Sequence, residues 1–120
     1  MKEKEKSLAL AKQIAGMLEN KKAERITVLD IGKLTVLGDY FVIASGSNTT
    51  LVKALAGEIE EKLGAQGIHP KRIEGESSAM WILMDYYDVI VHIFYDETRD
   101  FYGLERLWAD ATLVKLEGES

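Results

Sequence analysis

The sequence predicts a single α/β domain in which a mixed sheet of about five strands is flanked by helices. Three observations carry that expectation. Two stretches place apolar residues at helical spacing, four apolar runs of strand length lie between and after them, and the length of 120 residues suits one core and is short for two. The composition, 47% hydrophobic and 29% charged with a single proline, is that of an ordered domain spanning residues 1–120.

The elements follow in order. From Ser7 to Lys22, Leu8, Ala11, Ile14, Ala15 and Leu18 form one apolar stripe among Lys and Glu, an amphipathic helix. Arg25–Ile31 and Asp39–Ser45 are rich in β-branched residues and read as buried strands. Ser47, Asn48 and Thr49 supply capping oxygens ahead of a second stripe, Leu51, Val52, Leu55, Ala56, Ile59 and Leu63, which Gly64 and Gly67 terminate. A short strand at Arg72–Glu74 precedes two stronger ones, Ala79–Asp85 and Asp88–Phe94, and a helix from Phe101 to Ala111 closes the chain.

Composition also excludes chemistry. With no cysteine, the chain has no disulfide, thiolate metal site or cysteine nucleophile. The charged opening MKEKEK leads into no signal-length apolar core, and no apolar run of membrane-spanning length occurs, so a cytoplasmic location is expected. The net charge of -5 disfavours a phosphate backbone as partner and favours a basic protein surface.

The final two strands carry the most information. A two-residue loop at Tyr86-Tyr87 would set Asp85 opposite Asp88, Leu83 opposite Ile90, Trp81 opposite His92 and Ala79 opposite Phe94 on one face. The other face pairs Met84 with Val89, Ile82 with Val91 and Met80 with Ile93, all aliphatic and therefore core. The first face grades from an acidic tip to a Trp–His pair and then to Phe94, with Trp81 as its natural anchor. Either this face is an open contact surface, or a helix covers it and leaves Trp81 in the core with His92 a satisfied buried histidine; the pattern alone leaves both standing.

Catalytic readings find little support. Ser45-Gly46-Ser47, between a strand and a helix, has the form of a phosphate-holding Gly-Ser turn, yet the first downstream acid pair, Glu58 and Glu60, diverges on a helix and cannot share a Mg²⁺. The turn is read as a helix cap. Neither His69 nor His92 has a second ligand at metal spacing or a nucleophile beside it, no nucleotide or nucleophile-elbow motif occurs, and no cofactor or metal is expected. Asp85 and Asp88 at a solvated tip lack the contrasting environments of an acid/base dyad.

One resemblance covers nearly the whole chain after the first helix. The segments DYFVIASGS at Asp39–Ser47, EG at Glu74, SAMW, ILMDY, DVIVHIF, the downstream Arg99 and FYGLERLWADA together resemble the ribosomal silencing factor (RsfS, or Iojap-like) family. The resemblance implies a nucleotidyltransferase-like fold without catalytic carboxylates, hence no enzyme. It further implies docking on the large ribosomal subunit through ribosomal protein fourteen, exclusion of the small subunit, lowered translation in starvation, and a homodimer when free. Carried over, Trp81, Asp85, Asp88, His92, Arg99, Tyr102, Leu104 and Glu105 match the family's contact motifs. Trp81 and Leu104 are then expected as apolar anchors, Glu105 and the Asp85/Asp88 tip as partners for cations, Trp108 as core, and Arg99 as pairing internally with some carboxylate. The rivals are a nucleotidyltransferase-like enzyme using the Gly46-Ser47 turn and a homodimeric adaptor for another protein. The family usually has glycine where this chain has Tyr87, so a turn of a different type is expected there.

Overall fold

The structure, a computed structural model, describes residues 2–116. Helix α1 (Lys2–Asn20) leads into strands β1 (Glu24–Asp30) and β2 (Tyr40–Gly46), then helix α2 (Thr49–Ala65). Strands β3 (Arg72–Glu74), β4 (Trp81–Tyr86) and β5 (Val89–Tyr95) follow, then the short helices α3 (Asp96–Tyr102) and α4 (Leu104–Leu107) and a two-residue strand β6 (Thr112–Leu113). The strands form one sheet in the order β3-β4-β5-β2-β1-β6, parallel only between β2 and β5.

Helices α1 and α2 cover one face. Their stripes, including Ala11, Ile14, Leu18, Val52, Leu55, Ile59 and Leu63, bury against Val42, Ile82, Met84, Val91 and Ile93. Asn48 caps α2, its side-chain oxygen accepting from the Leu51 amide at 2.8 Å, which satisfies one of the free N–H groups of the first turn. The other face carries a smaller core of Leu29, Ile31, Phe41, Ile43, Phe94 and Leu104, roofed by α3 and α4.

The mixed sheet flanked by helices is as expected, with the two-residue β6, too short to show a period, added as a sixth strand. The closing helix and the hairpin need correction. The closing helix, expected over Phe101–Ala111, begins at Asp96 and is broken at Gly103, whose φ of 59° is left-handed, so that Phe101 is 82% exposed while Leu104 is buried. The hairpin loop is Tyr87-Asp88, not Tyr86-Tyr87. Trp81 faces Phe94, Leu83 faces His92 and Asp85 faces Ile90, two residues from the expected pairing.

Burial explains the shift. Tyr86 continues the core face of Ile82 and Met84 and is 4% exposed; looping it out would leave a large ring in water. The strain then falls on Tyr87, with φ 71°, where the Asp85 carboxylate accepts its amide at 2.8 Å. At the strand's other end Ala79 has φ 58°, which swings Met80 out of the core to 45% exposure and tucks Ala79 in, the reverse of the expected facing.

Candidate functional site: a half-covered aromatic face

Because the register error is two residues, an even number, the side chains of the paired segments Trp81–Asp85 and Val89–Phe94 keep their faces, and only Ala79 and Met80, ahead of β4, exchange theirs. Trp81, Leu83, Asp85, Ile90, His92 and Phe94 lie together on the side away from α1 and α2. Helices α3 and α4 cover the part of this face over β1 and β2, where Leu104 packs with Leu29, Phe41 and Ile43 and Trp108 stands edge-on to Phe41 at 5.1 Å. The part over β4 is less covered: Trp81, Leu83 and Ile90 remain partly exposed, next to the exposed Arg72 and Glu74 of edge strand β3.

Trp81 is held from three sides. It stacks on Phe94 at 4.9 Å, meets the Tyr102 ring at 4.8 Å, and donates its indole N–H to His92 Nδ1 at 3.1 Å. The pairing with His92 is therefore diagonal rather than directly cross-strand. An indole nitrogen only donates, so Nδ1 accepts and the imidazole proton resides on Nε2, which is buried without a protein partner among the described residues. His92 is 3% exposed, with the Phe41 ring edge-on at 4.6 Å. Burial pushes its pKa down to about 4, so the ring is neutral.

Arg99 fixes the roof. Only 2% exposed, it donates from Nε and Nη2 to the two carboxylate oxygens of Glu105, both at 2.9 Å. Its remaining donors reach Ser45 Oγ, Thr27 Oγ1 and the Arg25 carbonyl. Arg25 sits at an irregularity of β1 with φ 49°, and its own guanidinium grips Asp96 and Asp100. Two arginines thus tie α3 and α4 to β1 and β2. Through its hydrogen bond the Arg99 guanidinium holds the Glu105 carboxyl below its usual range.

The eight residues expected at a contact surface divide accordingly. Trp81, Tyr102 and Asp88 reach the surface. Leu104 is core instead of an exposed anchor, and Glu105 is engaged by Arg99, the carboxylate that the sequence left unnamed. Asp85 is 9% exposed rather than part of a solvated tip, its second oxygen 3.8 Å from Arg72; His92 and Arg99 lie inside. The sequence reading placed Met80 in the core and assigned no role to Phe101 or Leu107, yet all three are exposed; for Phe101 and Leu107 the glycine within FYGL, which ends one helix, was the available signal.

The Gly46-Ser47 turn is filled by the protein itself. A side chain at Gly46 would sit 3.0 Å from Val52 Cγ2, so α2 packs directly on the turn. No cluster of three or more metal-ligating side chains occurs among the described residues, and no helix among them is long and apolar enough to cross a membrane.

A family model described as "Ribosomal silencing factor during starvation" matches residues 4–120. The chain belongs to the ribosomal silencing factor family. It is 41% identical over 101 residues to the ribosomal silencing factor of Halalkalibacterium halodurans, covering 84% of this chain and 86% of that protein. A mouse relative named "Mitochondrial assembly of ribosomal large subunit protein 1" is 29% identical, with 89% of this chain matching 50% of that one. A crystal structure from Chromobacterium violaceum superposes with a TM-score of 0.82 at 33% identity, covering 93% of this chain and 92% of the other. The fold is therefore that of silencing-factor relatives.

Proposed function

We propose that this silencing factor works without catalysis, by docking the β4 side of its aromatic face on the large ribosomal subunit and occupying space the small subunit needs. The observation that carries the reading is the partly exposed Trp81, Leu83 and Ile90 strip beside Tyr102, bordered by the Arg72–Glu74 ion pair at 3.1 Å and by Asp88. Half-buried aromatics with a polar rim are the anatomy of a protein interface. The net charge of -5 suits a basic protein, and ribosomal protein fourteen at the intersubunit face is the partner we propose. The mouse relative's name, which joins it to large-subunit assembly, supports a partner on the large subunit. The setting is the cytoplasm, the outcome is lower translation in starvation, and free copies pair as a homodimer.

In this reading Trp81, Leu83, Asp88 and Tyr102 touch the partner, while His92, Arg99, Leu104 and Glu105 hold them in place and Asp85 fixes the hairpin tip. Trp81→Ala is a poor probe because it also removes the Phe94 stack and the His92 hydrogen bond. Leu83→Arg is better, since it adds a like charge toward a basic partner at a half-exposed position. Wild-type protein is expected to co-sediment with large subunits and to reduce their joining with small subunits. Leu83→Arg, with an unchanged melting temperature, is expected to lose both. Co-sedimentation of Leu83→Arg at the wild-type level would sink the assignment of this face.

A further inference from the structure

Beside Trp81, around the end of the sheet, lies a groove of about 310 Å³ lined by Met80, Tyr95, Glu97, Thr98, Phe101 and Tyr102. Its exposure is unusual. Phe101 is 82% exposed, Tyr102 49% and Met80 45%, three large apolar side chains in one small area. The groove is built from fixed parts: the Phe101 and Tyr102 rings stand edge-to-face at 5.3 Å, and Thr98 Oγ1 donates to the Met80 sulfur at 3.7 Å.

One charged group completes it. Helix α3 carries three carboxylates, and Arg25 occupies two of them, Asp96 at 2.6 Å and Asp100 at 3.0 Å. Glu97 is the third; it is exposed, without a partner among the described residues, and borders the groove. Two aromatic faces, a thioether and one free carboxylate at the end of a side-chain-sized groove match a side chain with a long apolar stem and a planar cationic head. That description fits arginine: the stem lies on Met80 and Phe101, the guanidinium stacks on an aromatic face, and Glu97 accepts its N–H groups. The charge balance of the whole chain, 20 acidic residues against 15 basic, adds a favourable background field.

We propose that this groove receives an arginine side chain projecting from the docked basic protein. The assignment rests on the docking reading above and extends its contact surface from the Trp81 strip around the end of the sheet, with Tyr102 shared between the two. A guanidinium locked there makes contact chemically specific, whereas the Trp81 strip supplies area.

The test has two arms. In the first, N-acetyl-arginine amide is titrated into the isolated protein by NMR and the Met80 methyl and the Phe101 and Tyr102 rings are followed. Saturating shifts in the millimolar range are expected, weaker with N-acetyl-lysine amide, and about tenfold weaker with the uncharged N-acetyl-norleucine amide or in Glu97→Gln. Equal responses to arginine and norleucine, or arginine binding unaltered by Glu97→Gln, overturn the proposal. In the second arm, Glu97→Gln and Phe101→Ala, both at exposed positions, are compared with wild type for binding to large subunits. About tenfold weaker binding by each is expected, and binding equal to wild type overturns the proposal. Should wild type bind no large subunits while the arginine titration saturates and depends on Glu97, the ribosomal reading falls and the groove stands as an arginine site.

Discussion

Lowering the pH from 7 to 5 should destabilise this fold by about 2 kcal/mol through His92 alone. The ring is neutral and buried, its pKa pushed down from an ordinary 6.5 to about 4 by burial. Around it stand Trp81, Phe41 and Phe94, which offer no negative charge to stabilise an imidazolium. Between pH 4 and 6.5 the unfolded chain therefore binds a proton that the folded chain refuses, and stability rises with pH across that window. The contribution is complete above about pH 6.5 and is lost as the pH falls toward 4. With these two pKa values, the linkage expression loses about 0.2 kcal/mol at pH 7 and about 2 kcal/mol at pH 5. Urea unfolding at pH 7, 6 and 5 reads this directly, because 2 kcal/mol moves the midpoint by roughly 1 M. His92→Asn is the reference: its amide oxygen can still accept from the Trp81 indole, and it does not titrate. Whatever the variant's absolute stability, the wild-type protein should lose about 2 kcal/mol more than the variant between pH 7 and 5. Parallel pH profiles for the two proteins would refute the description of His92 as a neutral ring sealed against water, and with it the protonation state on which the Trp81 hydrogen bond depends.

Two further expectations concern the framework. Arg99→Ala removes the donors that tie the α3–α4 roof to β1 and β2 and should cost about 3 kcal/mol in chemical denaturation, with Arg99→Lys recovering only a fraction because a single ammonium cannot replace the fork; a loss below about 1 kcal/mol would show the clamp to be dispensable. Tyr87→Gly should raise stability by about 1 kcal/mol, since glycine adopts the φ of 71° without penalty and the ring it replaces is 60% exposed; a drop in thermal midpoint would mean that Tyr87 makes contacts that outweigh its strain.

The legible and illegible parts of this molecule separate by the range of the interactions that fix them. Capping by Asn48, the α1 and α2 stripes and the β-branched strands are local patterns, and the structure places them within a few residues of expectation. The hairpin pairs two residues from the expected register, yet the faces of the paired strands survive, because a strand's side chains repeat every two residues; only Ala79 and Met80, ahead of β4, are exchanged. Arg99 was another matter. It joins residues 6, 54, 72 and 74 positions away in the sequence, and no local period marks which carboxylate or hydroxyl a lone arginine will find. Glu105 and Leu104 were consequently expected outside, whereas one is clamped and the other is core.

The open or covered state of the Trp81 face, undecided from pattern, follows from counting cover against width. Six strands at about 4.8 Å spacing present a sheet far wider than one helix of about 10 Å, which shields about two strands. The first face receives the 19-residue α1 and the 17-residue α2. The second receives α3 and α4, of 7 and 4 residues, and the left-handed turn at Gly103 together with the Arg25 and Arg99 clamps draws them toward β1 and β2. Cover therefore runs out at β4, where only Tyr102 reaches Trp81, and both alternatives are partly realised: His92 is sealed under the roof that Leu104 packs down, while Trp81, at its margin, is half in the core and half outside. A tryptophan in that position is held rigid by its buried half, through Phe94 and His92, and presents its other half at little further loss of conformational freedom. Residues sealed beneath the roof act on binding only through Trp81 and Tyr102, so substitutions there should alter stability and binding together, whereas Leu83→Arg and Glu97→Gln should alter binding alone.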